Sequence, residues 1–463
     1  MDAKTTVSPP PTYAAGGWWR LLDGYQKYVF LMGALAWMFD CLGQQVFIIA
    51  RNPAMAQLLP PGTPPDVLKS WGTNSTTIFV LGWATGGLVF GALGDRWGRA
   101  RCLSISVLLY AVCTGLSGLS TGPIDFCAYR LITGVGVGGV FGLAVALCAD
   151  ALPDAARPRA LGLLQALSAV GNMLAGAMGV ALGYWEVKGG ASHAWRLLFV
   201  AGAAPALLCV VPQFRLAEPP RWKEARARGQ VRGEKFGSYA SLLGEARWRK
   251  PALFGMLLCV AGVVGLWGIG FFSPELVNYV IGQALAAQHA APAEIPGRKL
   301  MWTGATMIVQ NFGSFLGMLA FTRLAQRYGR KWIFALAAVC AYFSTVLVFK
   351  FLTQPWEIFV LVPIMGFFQL ALFAGFAIYL PELFPLRLRS TGTSFCYNVG
   401  RFVAASGPFT LGLLQAHLAR GAASDELKMD AFRNAAWWVS SIYLLALLAL
   451  PFLPETKGQP LPE

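Results

Sequence analysis

Long apolar segments recur along almost the whole chain, and they limit its fold more than any other feature. Each is long enough to cross the hydrocarbon core of a bilayer as a helix. An isolated strand or loop there would leave backbone polar groups unpaired, so every segment is predicted to be helical. The sequence thus predicts an all-α membrane protein with twelve transmembrane helices. The segments are 28–50, 72–94, 102–121, 124–149, 160–184, 195–217, 251–282, 300–322, 332–352, 355–380, 390–416 and 433–454.

The charge of the chain has a topological explanation. A net charge of +15 could indicate a nucleic-acid partner, but only 13% of the residues are charged and 56% are hydrophobic. Most Lys and Arg residues lie in every second connection between the apolar segments. These connections are the cytoplasmic ones if the N-terminus lies inside the cell. We therefore expect a multi-pass protein of the cell (inner or plasma) membrane, with both termini cytoplasmic. Its partner is the lipid bilayer, and nucleic-acid binding is not expected.

An internal repeat divides the chain into two six-helix halves. The segment Arg96–Arg99 after the second apolar run recurs as Arg327–Arg330 after the eighth. Asp150 and Arg157 after the fourth run likewise recur as Glu382 and Arg389 after the tenth. Two unrelated motifs that each recur after nearly the same number of residues indicate a duplicated unit. The predicted domains are an N-terminal tail (1–27), a first bundle (28–217), a linker (218–250), a second bundle (251–454) and a C-terminal tail (455–463).

The segment Gly91–Arg99 resembles the G-x-L-x-D-R-x-G-R loop of the major facilitator superfamily. Residues 218–222 and 454–458 are similar to segments that follow helices six and twelve in sugar porters. Residues 381–392 resemble the loop between helices ten and eleven of sugar porters and metabolite:proton symporters. The resemblance covers nearly the whole chain, and it implies a secondary transporter that works by alternating access.

Charged residues in these loops are predicted to form a gate. Asp95 can pair with a nearby Arg or with the N-terminus of a neighbouring helix, as a latch that depends on the conformation. The alternative is that these charges only set the topology. Asp150 and Glu382 are candidate partners of Arg99 and Arg330, and Gln326, which replaces Asp95 in the second copy, predicts a weaker latch. The candidate gate residues are Gly91, Asp95, Arg96, Gly98, Arg99, Asp150, Arg157, Arg330, Glu382 and Arg389.

No pattern in the sequence indicates a metal, a cofactor or an enzyme. The run Gly134–Gly139 contains G-x-G-x-x-G, but it lies inside an apolar segment, where small residues favour close helix packing. The nine Cys residues include no C-x-x-C pair and indicate neither zinc nor disulfides. No nucleophile with a base and an orienting group appears within a span.

Asp40 and Arg130 are the candidate proton-coupling residues. Asp40 lies about 18 Å into the membrane at about 1.5 Å per residue, near the midplane, where a charge is costly and usually functional. Arg130 enters from the other side and can reach Asp40 if the first and fourth helices are adjacent. The resemblance implies the same, since an acid in helix one and an Arg in helix four take part in proton coupling in the related families. A static ion pair is the alternative.

Arg401 and a set of amide side chains are the candidate substrate ligands. A guanidinium at the membrane midplane offers paired donors to a carboxylate, although pairing with Asp40 or Glu275 would also satisfy it. Amide residues on helical stripes are expected to line a cavity or to bond between helices. The candidates are Gln44, Gln165, Asn172, Asn278, Gln310, Asn311, Asn398 and Arg401.

These patterns favour a monomeric transporter that imports a small organic metabolite, preferably a carboxylate, together with protons. A sugar porter is the alternative, supported by residues 218–222, residues 454–458 and Gln165. A nutrient receptor on the same scaffold is a third possibility, against which the short tails argue.

Overall fold

The computed structural model describes residues 17–189, 194–268, 273–292, 294–405, 414, 417–418 and 424–462, and these are almost entirely helical. The first half contains α1 (Gly24–Leu58), α2 (Pro65–Trp97), α3 (Arg99–Ser117), α4 (Pro123–Ala151), α5 (Arg157–Val187) and α6 (Ala194–Gln213). The linker contains α7 (Pro220–Arg232) and α8 (Tyr239–Gly244). The second half contains α9 (Ala246–Gly268), α10 (Ser273–Ala287), α11 (Ile295–Tyr328), α12 (Arg330–Phe351), α13 (Ile358–Leu383), α14 (Arg389–Ala405) and α15 (Asp425–Ser440). Short helical turns are Trp18–Leu21, Pro355–Glu357, Leu386–Leu388, Ser441–Leu444, Leu445–Ala449 and Leu450–Phe452.

The described residues contain 11 helices that are long and apolar enough to cross a membrane. The predicted run 390–416 is helical over Arg389–Ala405, and most of its remainder lies outside the described residues. The predicted run 251–282 corresponds to α9 and α10. Helix α9 begins at Ala246, inside the predicted linker, where the guanidinium of Arg247 lies over the Trp248 ring.

Glycines in the middle of α4 allow the neighbouring helices to approach closely. A Cβ on Gly134 would lie 2.2 Å from the Phe79 carbonyl oxygen, and one on Gly138 would lie 2.2 Å from that of Trp83. Because any side chain there would collide with the backbone of α2, these positions accept only glycine without a shift of the helix. The G-x-G-x-x-G pattern therefore serves helix packing.

The two halves touch mainly along two pairs of helices, α2 with α14 and α5 with α11, and α4 and α5 also contact α14 and α13. On α2, a Cβ on Gly87 would collide with the Asn398 side chain, and one on Gly91 would lie 2.4 Å from the Ser394 Cβ. On α5, a Cβ on Gly162 would collide with the Thr322 side chain. Small residues thus admit polar side chains of the opposite half at both contacts.

The linker packs against the ends of these helices. The N–H of Gly237 donates to the Arg387 carbonyl oxygen at 3.0 Å, and Arg387 pairs with Glu245 at 2.7 Å. Tyr239 donates to the Leu88 carbonyl oxygen at 2.6 Å. We call this end of the molecule the linker end.

Candidate functional site

The carboxylate of Asp95, near the end of α2, caps the first turn of α14 in the other half. It accepts hydrogen bonds from the N–H groups of Ser390 (3.2 Å) and Thr391 (2.8 Å) and from the Thr391 hydroxyl (2.7 Å). Arg99 donates to the same carboxylate at 3.0 Å. An anion is stabilised there because the first N–H groups of a helix lack intrahelical partners. Asp95 therefore fastens the two halves together at the linker end.

A second buried carboxylate extends this contact. Asp150, at the end of α4, forms ion pairs with Arg99 and with Arg389 at the start of α14. Arg99 also donates to the Leu386 carbonyl oxygen at 2.7 Å, and Arg389 donates to that of Pro462 at 3.0 Å. The predicted pair of Asp150 with Arg99 is thus present. We call Asp95, Arg99, Asp150 and Arg389 with the start of α14 the first latch.

At the equivalent contact between α11 and α5, Gln326 forms fewer hydrogen bonds among the described residues than Asp95 does. Its Oε1 accepts one hydrogen bond from Arg159 of the other half at 3.2 Å, and its Nε2 donates to the Thr322 carbonyl oxygen at 3.1 Å. A neutral amide cannot form the charge-assisted bonds that a carboxylate forms. We call Gln326, Arg159 and Thr322 the second latch.

Arg330 and Glu382 also form the predicted pair, but within one half. Their side chains are joined by bonds of 2.9 and 3.3 Å, and the Thr456 hydroxyl donates to the same carboxylate. Arg157, the counterpart of Arg389, pairs with Asp154 and donates to the Ala149 carbonyl oxygen at 2.9 Å. These bonds thus hold the connection between α4 and α5, and among the described residues Arg157 acts on Glu382 of the other half electrostatically, without forming an ion pair with it.

Two glutamates outside the predicted gate cap helices in matching positions. Glu218 accepts hydrogen bonds from the N–H groups of Arg99 (2.8 Å) and Arg101 (3.2 Å), at the start of α3. Glu455 does the same for Arg330 (2.9 Å) and Lys331 (3.1 Å), at the start of α12. Each glutamate follows the last membrane helix of its half. The resemblance of residues 218–222 and 454–458 to segments of sugar porters was the signal in the sequence that could have identified both residues.

The glycines that precede α3 and α12 are required by their backbone conformation. Gly98 has φ of 116° and Gly329 has φ of 99°, a region that other residues rarely adopt. A Cβ on Gly98 would also lie 2.3 Å from a Glu218 oxygen. Arg96 contacts the linker, since its Nε donates to the Phe236 carbonyl oxygen at 3.3 Å.

Asp40 is almost fully buried in the first half, with a relative exposure of 1%. One carboxylate oxygen accepts a hydrogen bond from Gln44 at 3.0 Å, and Oδ1 has no hydrogen-bond partner among the described residues. Among the described residues, Arg401 of the second half acts on it electrostatically. A buried carboxylate with an unsatisfied oxygen is costly unless a proton or a cation compensates it.

The guanidinium of Arg401 is equally buried, at 1% exposure. Its Nη1 donates to the Tyr397 carbonyl oxygen (2.8 Å) and to Asn398 (2.9 Å), whereas Nε and Nη2 have no partner in the described part of the chain. Its Cζ lies 3.9 Å from the centre of the Trp83 ring and 4.2 Å from that of Tyr397. Two donors are thus held in a dry, aromatic environment near Asp40.

The predicted pairing of Arg130 with Asp40 is wrong in this conformation. Arg130 Nε donates to the Ser117 hydroxyl at 3.0 Å, and Nη2 donates to the Cys113 carbonyl oxygen at 3.2 Å and to the Thr133 hydroxyl at 3.0 Å. The rings around the guanidinium are Phe47, Phe126 and Phe199. Hydroxyl groups of α3 and α4 and a backbone carbonyl oxygen of α3 thus accept the hydrogen bonds of Nε and Nη2 in this conformation.

A cavity lies between α1 and α5 of the first half and α9, α10, α11 and α13 of the second. The cavity and its mouth contain about 760 Å³ of unfilled space. Its lining is Gln45, Ile48, Asn172, Leu266, Trp267, Ser273, Pro274, Val277, Thr303, Thr306, Met307, Gln310, Asn311 and Leu370. The described lining is apolar apart from amide and hydroxyl groups and contains no charged side chain.

Three of the predicted substrate ligands, Asn172, Gln310 and Asn311, line this cavity. Asn172 donates to Asn311 at 2.8 Å and so joins the two halves across the cavity wall. Sequence reasoning missed Gln45, the neighbour of Gln44, because a step of one residue rotates a side chain by about 100° around a helix.

The other predicted ligands are not among the lining residues of this cavity. Gln165 accepts a hydrogen bond from Trp37 at 3.0 Å, and Asn278 accepts one from Thr303 at 3.4 Å. Gln44, Asn398 and Arg401 bond within the buried region around Asp40, as described above. Apart from Nε and Nη2 of Arg401, these side chains bond between or along helices, an alternative that the sequence left open.

Two tryptophans separate the cavity from the buried charges. Trp267 lines the cavity, and its ring lies 5.1 Å, centre to centre, from that of Trp83 in an edge-to-face contact. Trp83 in turn covers Arg401. The cavity and the Asp40–Arg401 region are therefore neighbours with an aromatic partition between them.

A family model described as sugar (and other) transporter matches residues 20–463. The chain belongs to this family. Its fold is that of the major facilitator superfamily, since it resembles the proton:xylose symporter XylE bound to 6-bromo-6-deoxy-D-glucose, with a TM-score of 0.69 and 18% identity. That match covers 94% of this chain and 98% of the other. The protein is thus a transporter and not an enzyme, as the sequence predicts.

Two proteins named as transporters are similar to this chain over most of its length. The probable 4-methylmuconolactone transporter of Cupriavidus pinatubonensis is 28% identical, over 95% of this chain and 93% of that protein. The cis,cis-muconate transport protein of Acinetobacter baylyi is 29% identical, over 84% of this chain and 87% of that protein.

Proposed function

We propose that the protein imports a small organic metabolite with a carboxylate group, in symport with protons, across the cell membrane. The observation that carries this proposal is the position of Asp40 and Arg401. The two charges come from opposite halves and act on each other electrostatically, and each has a polar atom without a hydrogen-bond partner among the described residues, close to the cavity between the halves. The names of the muconate and methylmuconolactone transporters support a carboxylate substrate.

In this mechanism Asp40 binds the proton and Arg401 is its counter-charge. When Asp40 is ionised, Arg401 stabilises it, and the ionised pair holds α1 and α14 together. Protonation of Asp40 frees the guanidinium, whose Nε and Nη2 can then bind the carboxylate of the substrate. The amide groups of Gln45, Asn172 and Asn311 bind the rest of the substrate, and rocking of the halves exchanges access.

Uptake into proteoliposomes under an inward proton gradient tests this mechanism, with cis,cis-muconate as the probe. Asp40→Asn should abolish concentrative uptake but retain exchange of substrate across the membrane, because the variant mimics protonated Asp40 permanently. Glu224→Gln removes an exposed acid from the linker helix and should have no effect. Concentrative, pH-dependent uptake by Asp40→Asn at the wild-type level would exclude Asp40 as the coupling group.

The role of Arg401 is tested by comparing an anionic substrate with its neutral amide. Arg401→Gln should weaken binding of the anion by about 2 kcal/mol, roughly 30-fold, and leave the neutral amide nearly unchanged. Equal loss for both would mean that Arg401 is structural.

A sugar porter is the second candidate, because the described lining of the cavity carries amides and hydroxyls but no charge. Xylose is the probe in the same vesicles. Accumulation of xylose without accumulation of muconate would favour this candidate.

A further inference from the structure

Three buried hydroxyl groups on α14 have no hydrogen-bond partner among the described residues. They belong to Ser390, Thr393 and Ser394, whose side chains all have a relative exposure of 0%. A helix usually avoids the cost of a buried hydroxyl by bonding it to the carbonyl oxygen one turn back, and these three groups do not form that bond. Three such groups on one helix indicate a polar ligand that they bind in another conformation. We call them the hydroxyl stripe.

Glycines of the first half hold two of these hydroxyls in narrow notches. A Cβ on Gly142 of α4 would collide with Ser394 Oγ, and one on Gly91 of α2 would lie 2.7 Å from the same oxygen. A Cβ on Gly94 would lie 2.8 Å from Ser390 Oγ. A water molecule is about as large as a methyl group, so none fits between these hydroxyls and the glycines while α2, α4 and α14 are packed together.

The hydroxyl stripe runs between the two groups of charges that α14 contacts. Ser390, Ser394 and Arg401 follow one another at steps of four and seven residues and therefore share a face of the helix. At the linker end, the N–H of Ser390 donates to Asp95 of the first latch at 3.2 Å. At the other end, Arg401 acts electrostatically on Asp40. The stripe thus connects the proposed proton site with the linker end.

The spacing of the stripe suits bridging water. Residues four apart on a helix are separated by about 6 Å, and one water that bonds to two hydroxyls at about 2.8 Å each spans nearly that distance. Ser390 and Ser394 can therefore share one water, and a second can join Ser394 to Asn398, whose Oδ1 accepts a hydrogen bond from Arg401 at 2.9 Å. Hydroxyls and waters both donate and accept hydrogen bonds, so a chain of them conducts protons.

We propose that the hydroxyl stripe takes up water when the linker end opens and that the proton leaves Asp40 along it, towards the linker side of the membrane. This inference rests on the proposed function, in which Asp40 carries the proton. While the linker end is closed, the glycine contacts keep the stripe dry and prevent a proton leak. When α2 and α4 separate from α14, Asp40 gives its proton to the water and becomes a carboxylate again, which Arg401 stabilises.

The surroundings of Asp40 and Arg401 leave this pair as the charges that the proton meets. Among the described residues, the other titratable side chains that act electrostatically with one or the other are uncharged near pH 7, namely Cys41, Tyr110, Cys259 and Tyr397. The route does not pass through the cavity, because no residue of the hydroxyl stripe lines it. Proton release and substrate binding thus use different faces of the region between the halves.

Transport by Ser390→Ala with Ser394→Ala in proteoliposomes tests the proposal, and both changes keep the backbone N–H that bonds to Asp95. Two rates are compared: uptake of cis,cis-muconate driven by an inward proton gradient, and exchange of muconate at equal pH on both sides. Net uptake requires release of the proton in every cycle, whereas exchange lets the carrier return with its proton bound. Net uptake should slow roughly tenfold, since positioned groups speed proton transfer by about 100-fold or more and slower conformational steps hide part of that loss. Exchange should stay nearly unchanged.

A matched control and a stability measurement separate this role from a structural one. Ser344→Ala removes a buried hydroxyl from α12 that donates to the Ala341 carbonyl oxygen, and it should leave the ratio of the two rates unchanged. The double variant removes hydroxyls without partners, so its melting temperature should stay equal or rise. Net uptake at the wild-type rate, or an equal loss of both rates, would overturn the stripe as a proton route and leave the proposed function intact. Uptake by the wild type without proton coupling would overturn both.

Discussion

The two latches occupy equivalent positions in the repeat but differ in charge. In the first, Asp95 accepts two backbone and two side-chain hydrogen bonds, and Asp150 pairs with arginines from both halves. In the second, Gln326 accepts one hydrogen bond from Arg159. The first latch thus has carboxylates that bond across the two halves, whereas the second has an amide in the place of Asp95, and we expect the first to hold more strongly.

The largest expected effect that tests this comparison is at Asp95. Asp95→Asn removes the charge that caps α14 and pairs with Arg99, and breaking a buried network of this kind costs about 3 kcal/mol. Hydrogen exchange of the Ser390 and Thr391 amides should accelerate roughly 100-fold. Gln326→Ala, the matched change at the second latch, should alter exchange at the start of α5 less than tenfold. Similar effects of the two variants would show that the latches do not differ in strength.

A smaller effect is expected from helix packing at the first latch. Gly91→Ala places a Cβ 2.4 Å from the Ser394 Cβ, so α2 and α14 must separate, at a cost of about 1–3 kcal/mol. Gly43→Ala on α1 is the control, since nothing lies within 4 Å of the added Cβ. The melting temperature should fall for Gly91→Ala and stay unchanged or rise for Gly43→Ala. Equal melting temperatures would mean that α2 and α14 adjust to the added Cβ without a loss of stability.

The smallest effect concerns the cap at Glu455, beside the second latch. Burial opposes its charge, but hydrogen bonds from the N–H groups of Arg330, Lys331 and Lys457 hold the pKa of Glu455 below its ordinary value of 4.5. A depressed pKa means that the cap stabilises the fold fully above about pH 4.5 and is lost as the pH falls through the folded-state pKa. Glu455→Gln should therefore cost about 1 kcal/mol at pH 7 and almost nothing at low pH.

Melting curves of wild type and Glu455→Gln across this pH range measure the difference. Glu426→Gln, an exposed acid at the start of α15, is the control and should show no such trend. A cost that does not depend on pH would mean that the charge of Glu455 contributes nothing.

Sequence determined the features that depend on local composition and spacing. Apolar runs predicted the membrane helices because hydrocarbon forces backbone groups to bond within each segment. The repeated loops identified Asp95, Arg99, Asp150, Arg330 and Glu382 as a charged network, and the exchange of Asp95 for Gln326 predicted a weaker second contact. Burial of Asp40 near the midplane followed from its depth in the first apolar run.

Only the tertiary structure decided which of these groups meet. Depth in the membrane made Arg130 a plausible partner for Asp40, but hydroxyls of α3 and α4 satisfy Arg130, and Arg401 from the other half is the cation that acts on Asp40. The rotation of α1 brought Gln45 rather than Gln44 to the cavity. Pairings between distant helices depend on rotation and packing, which neighbouring residues in a sequence do not encode, so the charged groups were predictable and their partners were not.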